Sequence, residues 1–175
     1  MDFFRPSGSN RGMIADDVRD QARQLIERAK ARAVRIAAAE SCTGGLIAAA
    51  LTSIPGASDV VERGFVTYSN EAKSEMLAVP AELIARKGAV SMEVALAMAD
   101  GALKASRADA AVAVTGIAGP AGGSEAKPVG LVHIAAARRG GARLHEECRF
   151  GDVGREAVRE ATVRKALELL ARVVG

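Results

Sequence analysis

The 175-residue chain reads as an α/β protein, a three-layer α/β/α sandwich around a mixed, mostly parallel sheet. Three observations predict this. Amphipathic stretches with helical spacing alternate with short apolar runs at 34–39, 108–114 and 129–137, the pattern of buried strands covered by helices. Polar residues follow the strand candidates, Glu40-Ser41 after the first, Tyr68-Ser69-Asn70 after the second and Thr115 after the third, as where an open α/β sheet presents a site. Gly140-Gly141 then supplies a two-residue hairpin turn, which makes one pairing antiparallel.

Residues 1–13, which include Pro6, Gly8, Ser9, Asn10 and Gly12, read as a flexible tail, and 14–175 as a single domain. Ile14, Val18, Ala22, Leu25 and Ala29 recur at helical spacing up to about Ala33. A strand over 34–39 and a helix over 44–53 follow, and Pro55-Gly56 breaks the chain. Arg63–Ser69 is a strand candidate, and Asn70 is placed to cap a short helix over 71–77. Another helix starts near Ala81, and a long one covers Ser91–Ala105. After the strand at 108–114, Thr115–Lys127 forms a glycine-rich loop. The run 129–137 is too continuously apolar for an edge strand, whereas the returning strand alternates and is half exposed. A helix over Val153–Val174 closes the chain.

Composition narrows the function. Hydrophobic residues make up 49% of the chain, yet no apolar run approaches the roughly 18 residues that span a bilayer, so no membrane partner is expected. Met1-Asp2-Phe3-Phe4-Arg5-Pro6 lacks the arrangement of a secretory signal. Cys42 and Cys148 form neither a metal-ligand spacing nor a disulfide framework, which favours a reducing cytoplasm. Net charge is a modest +3 and aromatic content is 3%, so the stacking platforms of nucleic-acid binders are missing. The charge excess suits a small anionic ligand.

The chemistry concentrates in Ala39-Glu40-Ser41-Cys42-Thr43-Gly44-Gly45. On a strand-to-helix turn, a hydroxyl or thiol can attack a carbonyl while the amides of Cys42, Thr43, Gly44 and Gly45 steady the oxyanion. A serine nucleophile needs a base. His133 and His145 both fall within strands and read as structural. Lys73 would stand three residues after a cap at Asn70, where the positive end of the helix dipole disfavours a cation and lowers the amine's pKa. A solvated surface lysine is the other reading of that position. Ser124 and Lys127 share the Ser-x-x-Lys spacing of some acyl-transfer enzymes, although Pro128 and the nearby glycines argue against a helix there. Gly116–Ser124 can cradle a phosphate or cover a ligand. Arg155 and Arg159, one helical turn apart, can clamp a phosphate or simply face solvent.

Together, the 39–45 motif, Gly64–Lys73, Gly88–Ser91, Thr115–Ser124, Lys127–Gly130 and Gly151-Asp152 resemble the CinA C-terminal domain family over about residues 14–172. The stand-alone members of that family are nicotinamide mononucleotide deamidases. The resemblance implies an amidohydrolase that turns nicotinamide mononucleotide and water into nicotinate mononucleotide and ammonia. Ser41 would be its attacking residue and Lys73 its base, with Tyr68, Thr115 and Arg155 in the site. Gly116, beside Thr115, is expected to contact substrate, and no metal or organic cofactor is required. Where the family has Gly-Asp-Arg, this chain reads Gly151-Asp152-Val153-Gly154-Arg155, so Arg155 and Arg159 stay open as the phosphate ligand. The larger members carry a further N-terminal domain whose activity is not implied. A cytoplasmic homodimer acting on a small molecule is expected. Two alternatives stand: Cys42 as the nucleophile, or a catalytically silent nucleotide-binding or partner-docking module linked to competence and DNA damage.

Overall fold

The computed structural model describes residues 14–175, and the tail expected over 1–13 lies outside the described residues. Helix α1 (Asp16–Ala31) carries Asp16 and Asp17 in its first turn and Arg28 and Lys30 in its last, charges that complement the helix dipole at both ends. It buries Val18, Ala22, Leu25, Ile26 and Ala29, the stripe that its spacing predicted. The chain continues through β1 (Ile36–Glu40), α2 (Leu46–Thr52), β2 (Val61–Val66), α3 (Asn70–Leu77), α4 (Ala81–Lys87) and α5 (Met92–Lys104). It then runs through β3 (Ala110–Gly116), β4 (Leu131–Arg138), β5 (Arg143–Arg149) and α6 (Arg155–Val174).

The strands form one sheet in the order β2-β1-β3-β4-β5. β1 lies parallel to both β2 and β3, so Ala39 pairs with Phe65 on one side and with Ala113 on the other. Two pairings are antiparallel, β3–β4 as well as the β4–β5 hairpin, rather than the one that the hairpin alone predicted. The reason is that no helix forms between Gly116 and Leu131 to carry the chain back across the sheet, so β4 starts at the end where β3 stops. β1, β2, β3 and β5 all point one way, with β4 opposed.

Strand alternation splits the core. Ile36, Ala38, Val112, Val114, Val132 and Ile134 pack against α1, α2 and α6. Ala37, Ala39, Ala111, Ala113, Ala135 and Ala137 pack against α3, α4 and α5. Half-exposed β5 places Leu144 and Cys148 against the first of these layers.

Several boundaries move for local reasons. α2 starts at Leu46, not 44, because Gly44 and Gly45 take left-handed φ of 60° and 104°. β3 runs on through Thr115 and Gly116, since both keep pairing with β4. The hairpin connection, Arg139–Ala142, is longer than the predicted two-residue turn: Gly140 adopts φ 68° but Gly141 does not, and a two-residue type I′ turn needs both.

α5 crosses α3 so closely that a Cβ on Gly101 would collide with the backbone carbonyl of Leu77. Gly101→Ala would gain about 1 kcal/mol from helix propensity in an exposed helix. Here overpacking outweighs that gain and the variant is expected to lose roughly 1–3 kcal/mol. Urea unfolding monitored by circular dichroism checks the sign.

Candidate active site

Parallel pairing of β2, β1 and β3 sets their carboxyl ends side by side, and the polar residues that follow them meet there. Glu40, the last residue of β1, is buried and carries the local architecture. One of its oxygens accepts hydrogen bonds from Thr43 Oγ1 (2.6 Å), Gly45 N (3.1 Å) and Ile47 N (3.0 Å), and the other from Ala48 N (2.9 Å). An acceptor-only side chain thus satisfies the orphan amides of the first turn of α2 from within. The left-handed pair Gly44-Gly45 lets the chain fold back over it. Sequence reading noticed Glu40 at the strand end but gave it no role; its signal was the spacing of a carboxylate followed by Gly-Gly and a helix.

Ser41 stands at the start of this turn, anchored by its amide to Val114 O at 3.1 Å. Its Oγ lies 3.0 Å from Lys73 Nζ. Lys73 is 1% exposed, the bulkiest of the fully buried side chains, and its Nζ also donates to Thr67 O at 2.9 Å and approaches Tyr68 O and Ser69 O at 3.5 and 3.4 Å. Among the described residues no carboxylate pairs with the amine. Burial lowers its pKa from the ordinary value, with Cys42 and Glu71 opposing weakly. The direction agrees with the sequence reading but the cause differs. The α3 cap is Ser69, whose Oγ accepts from Ala72 N at 3.0 Å, not Asn70. Ser91 Oγ caps α5 in the same way, accepting from Val94 N at 3.3 Å. Lys73 therefore lies one residue deeper in its helix than expected, and desolvation rather than the helix end acts on it. Burial that disfavours the charged amine, with carbonyls on one side and the serine hydroxyl on the other, is an arrangement that suits a nucleophile and its base.

Cys42, beside Ser41, is buried in the apolar layer beneath α2. Burial pushes its thiol up to about 12, so almost none is thiolate near neutrality.

Ser41, Cys42, Tyr68, Asn70, Lys73, Ala89, Val90, Thr115, Gly116, Ala118 and Arg155 line one cavity of about 250 Å³. Thr115 Oγ1 donates to Ala89 O at 2.9 Å, so it braces the wall and does not bond to Ser41 or Lys73. Arg155 spans the mouth, donating to Gly119 O and to the exposed Tyr68 hydroxyl, each at 2.9 Å. Not every residue singled out in the sequence reaches the cavity. Thr43 is buried against Glu40, and the amides of Gly44 and Gly45 are committed to Ser41 O and Glu40. Arg159 turns to the opposite side of the catalytic turn, where it donates to Thr43 O at 3.0 Å and lines a separate cavity with Val18 and Leu46.

Ser124 and Lys127 are not a catalytic pair. Ser124 Oγ accepts the Lys127 amide at 3.1 Å, while Lys127 Nζ points to the carbonyls of Lys87 and Val90. The rings of His133 and His145 stack with centroids 5.2 Å apart and Nδ1 of the first 3.0 Å from Nε2 of the second. Burial is the main cause that lowers both pKa values. Neither histidine lines the cavity. Among the described residues no group of three or more His, Cys, Asp or Glu is arranged to hold a metal, and no helix is long and apolar enough to cross a membrane.

Known proteins resemble this chain in sequence and fold. The nicotinamide-nucleotide amidohydrolase PncC of Escherichia coli K12 is 50% identical over 159 residues, 90% of this chain and 95% of that protein. A CinA-like protein of Anaeromyxobacter sp. Fw109-5 is 46% identical over 171 residues, 95% of this chain but 41% of the longer relative. Among solved structures, the competence/damage inducible protein CihA of Agrobacterium tumefaciens superposes with a TM-score of 0.92 at 54% identity, covering 94% of this chain and 99% of that one. The family model of the CinA C-terminal domain matches residues 18–174, and the chain belongs to that family.

Proposed function

We propose that this protein hydrolyses the carboxamide of nicotinamide mononucleotide, releasing ammonia and nicotinate mononucleotide through an acyl-enzyme on Ser41. The contact of Lys73 Nζ with Ser41 Oγ at 3.0 Å, deep in the cavity, carries this reading. The 50% identity to PncC along nearly the whole chain supports the substrate.

In this mechanism neutral Lys73 accepts the Ser41 proton as Oγ attacks the carboxamide carbon. The oxyanion goes to the amides of Cys42 and Thr43. Those of Gly44 and Gly45 are already committed, and the amide following a nucleophile is the usual donor on a strand-to-helix turn. When the tetrahedral intermediate collapses, the C–N bond breaks and Lys73 passes its proton to nitrogen, which leaves as ammonia. A water then attacks the ester. Lys73 takes a proton from it and returns that proton to Ser41 Oγ as the acid departs. The cavity is smaller than the roughly 300–1,000 Å³ that enclose a drug-sized ligand. The ring amide enters, and the 5′-phosphate stays at the rim with Arg155, whose guanidinium has donors beyond those given to Gly119 and Tyr68. Arg159 lines a separate cavity and not the one that holds Ser41, which favours Arg155 as the phosphate ligand. A homodimer in the cytoplasm is the expected setting.

Ammonia release from nicotinamide mononucleotide by the purified protein tests the activity; none would leave a binding module as the reading. Ser41→Ala is expected to fold normally and lose turnover by about 10⁴-fold or more. Iodoacetamide is expected to leave wild-type turnover intact, because the Cys42 thiol is buried and protonated; inactivation would favour the thiol as nucleophile.

The rate is expected to rise with pH as Lys73 loses its proton, levelling off at an inflection below the ordinary lysine value of 10.5. A pH–rate profile of kcat/KM locates it, and Lys73→Arg, always protonated, is expected to be inactive at every pH.

Arg155→Ala is expected to lose about 1.5–3 kcal/mol of substrate binding, one to two decades in kcat/KM. The loss should fall on nicotinamide mononucleotide and largely spare nicotinamide riboside, which has no phosphate. Arg159→Ala is expected to leave the ratio between these two substrates unchanged.

A further inference from the structure

The turn between α4 and α5 supplies Ala89 and Val90 to the cavity, and side chains hold four consecutive carbonyls of that turn. Gly88 O accepts Ser91 Oγ at 2.9 Å, and Ala89 O accepts Thr115 Oγ1 at 2.9 Å. The two outer carbonyls, Lys87 O and Val90 O, share one donor: Lys127 Nζ, at 2.6 and 2.7 Å. Lys127 reaches them from the loop between β3 and β4. It is fixed there by the Ser124 hydroxyl on its amide and by Ser124 N donating to its carbonyl at 2.8 Å. Gly88 makes room for the ammonium. A Cβ at Gly88 would stand 2.7 Å from Lys127 Nζ, and its φ of 78° already favours glycine.

We propose that Lys127 is a positioning residue that sets the Ala89–Val90 wall, and with it the fit of the aromatic amide opposite Ser41. An ammonium bonded to two carbonyls joins two loops that are otherwise separate in sequence, and charge-assisted bonds of this kind are stronger than neutral ones. Lys127 touches neither Ser41 nor Lys73 among the hydrogen bonds of the described residues, so it acts on where the ring sits and not on the proton. The surrounding charges agree with this role. Glu93, in the first turn of α5, is paired with Lys87 at 2.7 Å, which leaves the Lys127 ammonium to the backbone carbonyls. The inference rests on the amidase reading for its kinetic consequence but not for its structural one.

The experiment pairs kinetics with hydrogen exchange on the full chain. Lys127→Met is expected to raise KM for nicotinamide mononucleotide about tenfold, with a smaller change in kcat, as loss of one or two charge-assisted bonds predicts. The pH inflection assigned to Lys73 is expected to stay in place, and amide exchange over 88–92 to accelerate at least severalfold. Lys127→Arg, which can still donate to two carbonyls, is expected to restore most of the loss. Lys127→Gln, which keeps a neutral donor for one of the two carbonyls, is expected to fall between Lys127→Met and the wild type. If Lys127→Met fails to fold, Lys127→Gln carries the same readouts. Unchanged KM and unchanged exchange over 88–92 would overturn the proposal, as would a shifted pH inflection, which would place Lys127 in proton transfer. A wild-type protein that releases no ammonia yet shows faster exchange in Lys127→Met would defeat the amidase reading and leave the positioning role standing.

Discussion

The buried carboxylate of Glu40 is the constraint on which the site depends. Burying such a group without a matching donor set is costly, and no basic side chain pairs with it among the described residues. Three helix amides and one hydroxyl supply the donors instead. These bonds pin the first turn of α2 to the end of β1, and they leave Ser41 at a bend fixed on both sides: by the Glu40 side chain, which holds the turn that follows, and by Val114 O at Ser41's own amide. The carboxylate also takes the Gly45 amide out of the set that the bare motif offers, while the Gly44 amide is taken by Ser41 O.

Lys73 illustrates how a side chain can be chemically tuned by where it is not. Among the described residues it has no acidic partner to hold its proton, and its hydrogen bonds go to backbone carbonyls and one hydroxyl. Desolvation then favours the neutral amine, and the same burial keeps the neighbouring Cys42 thiol protonated. One environment therefore disfavours the charged form of both groups, which weakens the sulfur as a nucleophile and separates two adjacent residues, Ser41 and Cys42, that look equally nucleophilic in sequence.

Much of this was legible before any coordinates. Apolar runs ending in polar residues marked the carboxyl ends of β1 and β3, and those ends do converge. Lys73 was found for a partly mistaken reason, since the cap at Ser69 rather than Asn70 shifts its place in α3 and the shift of its pKa comes from burial. What stayed hidden has a common character: three of the four donors to Glu40, the bond from Thr115 to Ala89 and that from Arg159 to Thr43 all involve backbone groups, which carry no residue identity. The β3–β4 pairing was also out of reach, because the length of the 117–130 loop does not reveal at which end of the sheet it returns.

The sheet is built largely of alanine, with Ala37, Ala38, Ala39, Ala110, Ala111, Ala113, Ala135, Ala136 and Ala137 all buried at its centre. Each of these residues contributes little apolar area, so cohesion comes from how near the helices can approach rather than from side-chain bulk. A surface of this kind behaves as a gauge. It favours helices that approach closely, and a methyl added to one of these buried alanines would have to be accommodated by its neighbours. Exchange of residues in this core is therefore coupled, an enlargement on a strand requiring a reduction on the helix above it. On the face of Ala37 and Ala39 that helix is α5, which lies against β1, β3 and β4, and α3, which carries Lys73, packs in turn on α5.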